Sequence, residues 1–91
     1  MIKLTGHIDV PNDRLQNIKA GLPKHIKLTH AEAGNVSFSV TPCPKVIGRF
    51  LVQEVFIDQS AFDYHQNRTA GSDWAIISKD IPREYQISEI E

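Results

Sequence analysis

The sequence lacks what several classes of protein require. It has one cysteine among 91 residues, Cys43, which excludes an intrachain disulfide framework and a metal site built from several cysteines. No apolar run approaches the roughly 20 residues that a membrane-spanning helix needs. Ten basic residues stand against eleven acidic ones, so there is no positive excess to neutralise phosphates. Neither nucleic acid nor a membrane is therefore an expected partner.

Sequence motifs for cofactors and for export are missing as well. There is no glycine-rich phosphate loop, so a nucleotide or flavin site is not supported. The four histidines lack the close spacing of metal-binding pairs, which argues against a metal centre. The first residues do not form a basic leader followed by an apolar block, so no secretory signal is expected. These absences lead us to expect a cytoplasmic protein with no cofactor and no bound metal.

What is present is an ordinary soluble composition in a short chain. Apolar residues make up 41% and charged residues 23% of the sequence, which is typical of folded soluble proteins. The length suits one domain spanning residues 1–91, because domains usually hold roughly 100–200 residues. A chain this short buries only about two-thirds of its unfolded surface, so further burial in an oligomer would stabilise it.

The first part of the chain predicts a strand followed by one long helix. Apolar and polar residues alternate with a period of two over residues 2–10, which is typical of a strand. Apolar residues then recur every three or four positions over residues 15–33. Because this spacing runs unbroken past Pro23, we predict one helix that is kinked there, rather than two helices joined by a turn. Gly34 is expected to end the helix as a left-handed cap.

The second part of the chain predicts three strands and one more helix. The expected segments are a strand at 36–41, a hairpin loop at 42–48, a strand at 49–57, a helix from a cap at Asp58 or Ser60 to about Thr69, a turn at 72–74 and a strand over 77–87. The strand at 49–57 has apolar residues at both odd and even positions, which indicates a strand covered on both faces.

The element order β-α-β-β-α-β predicts an α+β fold of the ferredoxin-like class. Right-handed crossovers place both helices on one face of a four-stranded antiparallel sheet. The opposite face of the sheet is then bare in a monomer. Because the strand at 49–57 is apolar on both faces, we expect a second copy of the chain to cover that bare face.

Two stretches carry a more specific signal than the fold does. One is THAEAGNVSF at residues 29–38, and the other is EVFIDQSAFDYH at residues 54–65, with Trp74 shortly after. Both resemble the antibiotic biosynthesis monooxygenase domain. That family has a Glu-any-Gly step leading into an aromatic strand, followed by Glu-any-aromatic, a helix cap, Ala-Phe or Ala-Leu, and His. The resemblance covers roughly residues 1–87.

The resemblance implies a homodimeric α/β barrel with a pocket in each protomer, between sheet and helices. The activity that it favours is cofactor-independent oxygenation, by O₂, of a small planar quinol or other electron-rich phenol. An isomerase or other enolisation catalyst, and a non-catalytic dimeric binding protein, are alternatives, because this superfamily hosts several activities on one scaffold. Haem degradation is not favoured, since that branch has an Asn on the first strand, where this chain offers Gly6, Ile8 and Val10.

His65 is the candidate catalytic residue. It lies four positions after Ala61 and three after Phe62, on the stripe of the second helix that faces the sheet. A neutral imidazole there could accept a proton from a phenol or an enol. The alternative is a structural histidine that is hydrogen-bonded to the sheet or to Glu54 and ties the helix to a strand.

Three further residues are candidate substrate-binding residues. Glu54 lies between apolar neighbours in a strand, and a buried carboxylate needs a partner. A structural ion pair is the alternative for Glu54. Trp74 could close the mouth of a pocket and stack on a planar ligand, or fill the core or the dimer interface. Phe62 is a candidate pocket wall and also a candidate core residue.

The remaining reactive side chains are given structural or surface roles. His7 is on the polar face of the first strand and is expected at the dimer interface. His25 and His30 lie off the main apolar stripe of the first helix or at its margin, so we expect both to be solvated. Tyr64 is expected to be exposed. Cys43 lies between two prolines in a hairpin without an activating base, so we interpret it as an ordinary surface thiol.

Overall fold

The computed structural model describes residues 1–91 and contains four strands and three helices. The elements, in chain order, are β1 (Ile2–Asp9), α1 (Leu15–His30), β2 (Asn35–Pro42), β3 (Arg49–Phe56), α2 (Gln59–Ala70), α3 (Asp73–Ile77) and β4 (Arg83–Glu89). A short 3₁₀ turn at Asn12–Arg14 leads into α1. No helix is both long enough and apolar enough to cross a membrane.

The strands form one antiparallel sheet in the order β2-β3-β1-β4. The first strand therefore lies at the centre, paired with β3 on one side and β4 on the other. The pairing with β4 continues to the chain ends, where the Met1 amine donates to the Ile90 carbonyl at 2.7 Å and Ile90 N–H donates to the Met1 carbonyl at 2.8 Å. This topology confirms the predicted α+β ferredoxin-like fold.

The hydrophobic core fills the space between the sheet and α1 and α2. Alternate residues of β1, among them Leu4 and Ile8, turn the same face toward the helices. Ile18 of α1 and Phe56 of β3 are fully buried there. Burial of side chains of this size stabilises the fold by roughly 1.5–3 kcal/mol each. The core thus fixes which face of each strand meets the helices.

Helix α1 confirms one prediction and corrects another. It continues through Pro23 as a single helix, as predicted, because burial of Ile18 and Leu22 on its inner face offsets the hydrogen bond that proline removes. The expectation for Gly34 was wrong, since the helix ends at His30 and Gly34 does not have a positive φ. A Cβ at Gly34 would instead collide with the Cβ of Ala61 in α2. The glycine therefore allows α2 to approach closely.

Helix α2 begins as predicted. The Asp58 side chain accepts a hydrogen bond from the backbone N–H of Ala61 at 2.8 Å and caps the first turn. This start places Phe62 and His65 on the buried side, while Asp63 is exposed. The predicted phase of this helix is confirmed.

The segment after α2 differs from the prediction. We predicted a turn at 72–74 and a strand over 77–87, whereas residues 73–77 form α3 and the last strand begins only at Arg83. The Ser78 hydroxyl donates to the Trp74 carbonyl at 2.7 Å and closes the last turn of α3. Asp80 then adopts a positive φ of 64°, and Pro82 offers no N–H for a ladder. Together, the turn at Asp80 and the proline at position 82 place the start of the last strand at Arg83.

The sheet face away from the helices is largely polar. Val55 lies on it with Lys3 and Ser37 as cross-strand neighbours, and the same alternation places Leu51 and His7 there. Val55 is buried within the protomer, whereas Leu51 is 43% exposed. Leu51 is thus the accessible apolar side chain of β3 on this face.

We expect Gly34→Ala to lower the free energy of unfolding by about 1–3 kcal/mol, the usual range for overpacking. The new methyl group would have to displace Ala61 and move α2 away from the sheet. Urea unfolding at neutral pH measures the change. Gly71→Ala is the matched control, because a Cβ at Gly71 would make only an ordinary contact of 4.0 Å with the Arg68 carbonyl. Equal stability of the two variants would contradict this packing argument.

Candidate active site

His65 lies at the centre of a buried polar cluster. Its Nδ1 is 2.9 Å from Oε2 of Glu32, and both side chains are almost fully buried. On its other side, Nε2 is 3.7 Å from Oε1 of Glu54. The second distance exceeds that of a hydrogen bond. The imidazole is therefore bonded to one carboxyl group and adjacent to another.

Glu32 comes from the turn between α1 and β2. Its backbone N–H donates to the Thr29 carbonyl, and its own carbonyl accepts from Asn35 N–H, so the turn directs the side chain inward. Arg68 of α2 donates from Nε to the same Glu32 oxygen at 2.8 Å, and from Nη2 to the Thr29 hydroxyl at 3.2 Å. The carboxylate thus joins both ends of the α1–β2 turn to α2.

Glu54 faces the helices and not the outer face of the sheet. Its cross-strand neighbours are Leu4 and Phe38, which are both buried. Burial raises the pKa of Glu54 to about 7 from an ordinary 4.5, and the nearby charge of Glu32 acts in the same direction. Its carboxyl group can therefore hold or release a proton near neutral pH.

His25 is the residue that the sequence reasoning misplaced. We predicted a solvated side chain, but the ring is 7% exposed. It stacks on Trp74 with ring centroids 4.6 Å apart and an angle of 6° between the planes. Burial lowers the pKa of His25 to about 4, with the nearby His65 and Arg68 contributing. The spacing from Leu22 to His25 was the signal that could have placed it on the buried stripe.

A cavity of about 340 Å³ opens between α1 and α3. We call it the α1–α3 cavity; six of its lining residues are Gly21, His25, Leu28, Arg68, Trp74 and Ile77. His65, Glu54 and Phe62 do not line it. Phe62 packs against Phe56 in the core, with ring centroids 5.6 Å apart. Of the predicted site residues, the structure brings His65 and Glu54 together, places Trp74 at the cavity and puts Phe62 in the core.

The other candidate side chains lie away from this cluster. His7 is on the opposite face of the sheet, with Nε2 3.8 Å from Asp9 and 3.9 Å from Glu84. His30 is exposed, and its Nε2 lies 2.9 Å from the Phe38 carbonyl. Tyr64 is exposed, as predicted.

Three buried polar atoms around His65 have no hydrogen-bond partner in the protein. They are Nδ1 of His25, Oε1 of Glu32 and Oε1 of Glu54. Leaving such an atom unpaired costs roughly 1–3 kcal/mol, and folded proteins have few of them. Three unpaired atoms around one imidazole mark a polar site that is held in place at the expense of stability.

The geometry suits proton transfer. A carboxylate at Glu32 accepts from Nδ1–H of His65, and this leaves Nε2 of the neutral ring as the proton acceptor. Nε2 is the nitrogen beside Glu54, so an abstracted proton has a second group close at hand. The cluster can act as a general base with a neighbouring acid.

The sequence model of the family described as antibiotic biosynthesis monooxygenase matches residues 1–75. A search of curated proteins gives no match.

Solved structures share the fold at low sequence identity. A proposed antibiotic biosynthesis monooxygenase from Nitrosomonas europaea is 18% identical with a TM-score of 0.86, over 98% of this chain and 97% of that one. A conserved protein from Methanosarcina mazei Go1 is 18% identical with a TM-score of 0.80, over 99% and 92%. A proposed antibiotic biosynthesis monooxygenase from Deinococcus radiodurans is 14% identical with a TM-score of 0.80, over 100% and 93%. At these identities the likeness shows the fold alone.

The raised pKa of Glu54 predicts how stability depends on pH. Between its ordinary pKa of 4.5 and about 7, the folded protein keeps a proton that the unfolded chain has released. The stability from this site is complete below the ordinary pKa and is lost as pH rises through about 7. In the wild type, this pH rise should lower the free energy of unfolding by on the order of 3 kcal/mol. Glu54→Gln should remove that decrease. Urea unfolding at about pH 5 and about pH 8 measures it.

Glu89→Gln on β4 is the control, because that carboxyl group is exposed. His25 acts in the opposite sense. Its pKa is lowered to about 4, so the stability that the neutral ring contributes to the protein is lost as the pH falls below 6.5. This effect is common to the wild type and both variants and cancels in the comparison. The same alkaline decline in Glu54→Gln as in the wild type would contradict the assignment.

Proposed function

Because the chain belongs to the antibiotic biosynthesis monooxygenase family, we propose that it is a monooxygenase acting on a small planar quinol or other electron-rich phenol. We propose further that residues 1–91 form a single domain and that O₂ reacts with the substrate without a cofactor. His65 is the proposed catalytic base. Trp74, Phe62 and Glu54 are the proposed substrate-binding residues.

The observation that carries this proposal is the pairing of His65 with Glu32. A 2.9 Å contact at Nδ1 fixes the ring and leaves Nε2 for the substrate hydroxyl. Loss of that proton yields a phenolate, which is the form of a phenol that transfers an electron to O₂ most readily. A single base in a water-excluded pocket is therefore the machinery that such a reaction requires from the protein.

The reaction balances without an external reductant. The phenolate gives one electron to O₂, and the two radicals combine to form a carbon–oxygen bond at the ring. The O–O bond of the resulting hydroperoxide then breaks with loss of the ring hydrogen, one oxygen stays as a quinone carbonyl and the other leaves as water. The substrate supplies all four electrons that O₂ accepts.

The other proposed site residues have separate roles in binding and proton transfer. Trp74 offers an indole face at the α1–α3 cavity for a planar ring. Glu54, next to Nε2, receives or returns the proton that His65 carries. Phe62 supports the site from the core side by packing on Phe56, whose ring is 4.8 Å from that of His65.

An enolisation catalyst is the second candidate, and Glu54 is the observation that favours it. An isomerase removes a proton at one carbon and returns it at another, and a second proton-exchanging group beside the base assists that transfer. His65 and Glu54, 3.7 Å apart, form such a pair. Uptake of O₂ distinguishes the two reactions, because isomerisation consumes none.

We also propose a homodimer in which the sheet face away from the helices meets the same face of a second copy. Leu51 of β3 is an exposed apolar side chain on that face, and β4 has an unpaired outer edge. His7 would lie within the interface, where its neighbours Asp9 and Glu84 would be partly desolvated.

We expect His65→Ala to reduce quinol-dependent O₂ uptake by about 10²–10⁴-fold, the usual range for loss of a general base. The fold should survive, because Arg68 still pairs with Glu32. An oxygen electrode measures turnover, and a thermal melt of the same sample measures stability. His30→Ala is the matched control, since His30 is an exposed histidine outside the cluster.

Normal turnover in a destabilised His65→Ala protein would contradict the assignment of His65 as the catalytic base. Binding of quinols without O₂ uptake or isomerisation in the wild type would identify a non-catalytic binding protein instead.

The dimer is tested by Leu51→Asp. We expect light scattering to give about twice the 10.3 kDa chain mass for the wild type and the single chain mass for the variant. A charge at Leu51 would be buried without a partner in the interface, while the core of each protomer stays intact. Ile76→Asp is the control, because Ile76 is 75% exposed on α3. A folded wild-type monomer at micromolar concentration would refute the dimer.

A further inference from the structure

The His25 ring lies between the α1–α3 cavity and the ring of His65. His25 lines the cavity and stacks on Trp74 with centroids 4.6 Å apart. Beyond His25, on the inner side, the His65 ring lies with its centroid 6.2 Å away. The imidazole of His25 thus occupies the space between the open cavity and the proposed base.

Aromatic rings surround the His25 ring in this position. Its Nδ1 is buried and has no hydrogen-bond partner. The ring touches Trp74 face to face and Phe38 edge to face, with centroids 5.3 Å apart in the second pair. Burial keeps the pKa of His25 at about 4, so the ring is neutral at physiological pH and forms no ion pair. Rotation of this ring therefore breaks no hydrogen bond at Nδ1.

Trp74, in contrast, belongs to an anchored element. Arg14 donates from Nη2 to the Ile77 carbonyl at 2.5 Å, and Lys24 pairs with Asp73 at 3.2 Å. The side chain of Ile77 fits against Gly21, where a Cβ would collide with it. The element that carries Trp74 is therefore fixed against α1.

We propose that His25 is a gating residue and that a planar phenol opens it. The phenol enters the α1–α3 cavity, replaces the His25 ring on the indole face of Trp74 and directs its hydroxyl toward Nε2 of His65. The cavity volume of about 340 Å³ suits a phenol of one or two rings. This inference rests on the proposed function for the class of its ligand and for the role of His65.

The test uses 4-nitrophenol, an electron-poor phenol that O₂ does not oxidise, so binding is observed apart from turnover. Trp74 is the single tryptophan, and its fluorescence reports the titration. We expect His25→Ala to bind the probe at least about 5-fold more tightly, because the closed state that lowers the apparent affinity is removed. Trp74→Ala, followed by calorimetry, should bind it at least about 5-fold more weakly.

Two controls separate gating from general effects. His25→Phe keeps a ring on Trp74 and should bind the probe no more tightly than the wild type. His30→Ala should bind it as the wild type does. Unchanged affinity in His25→Ala, or in Trp74→Ala, would overturn the proposal.

A measurement on the unmodified protein covers the case in which His25→Ala does not fold. Because the His25 ring stacks on the Trp74 indole, we expect its ring protons to be shielded and their NMR signals to lie upfield. Saturation with 4-nitrophenol should move them downfield as His25 leaves the stack, and signals that stay upfield in the bound protein would refute gating. Failure of quinol oxygenation with these binding results intact would refute the proposed function and leave the gate standing.

Discussion

The contact between Glu32 and His65 is the interaction on which the candidate site depends. It joins the turn after α1 to the middle of α2, two parts of the chain that are separated in sequence by the hairpin of β2 and β3. Arg68 shares the same carboxylate oxygen and brings its own charge into the pair. A buried carboxylate is tolerated here because an imidazole and a guanidinium donate to it together. Without this contact the ring of His65 would have no fixed orientation.

The polar cluster takes up interior volume that apolar side chains could otherwise fill. In a chain of this size, each buried side chain is a substantial share of the apolar surface that stabilises the fold. Placing Glu32, Glu54, His25 and His65 inside replaces apolar packing with groups whose charges must be paired or neutralised. The shifted pKa values of Glu54 and His25 are the direct result of that desolvation. Local destabilisation of this kind is common at sites that carry out chemistry.

The fold was predictable from sequence because its signals are periodic. Alternation in β1 and the three-to-four spacing in α1 each depend on many residues, so no single exception alters them. The cap at Asp58 likewise fixed the phase of α2 and hence the inward direction of His65. The segment before β4 was misassigned because α3 is only a few residues long, and its apolar run is equally compatible with a strand.

The site was less predictable because its contacts are non-local. The glutamate that bonds His65 is Glu32, not the Glu54 that the sequence suggested, and nothing in the spacing of residues distinguishes the two. His25 was assigned to solvent because it was placed off the main apolar stripe of α1 or at its margin, whereas it is buried on the inner side of the helix. The stack on Trp74 requires α3, the element that the sequence did not reveal.

The central position of β1 has a consequence for how the chain folds during synthesis. This strand is made first, yet both of its neighbours in the sheet come later, and β4 pairs with it across almost the whole length of the chain. Contacts of such long sequence separation form slowly, because a large loop must close before any pairing stabilises it. While the chain emerges from the ribosome, α1 has no completed sheet to pack against. The edge of β1 that pairs with β4 therefore stays unpaired until residues 83–89 have been synthesised.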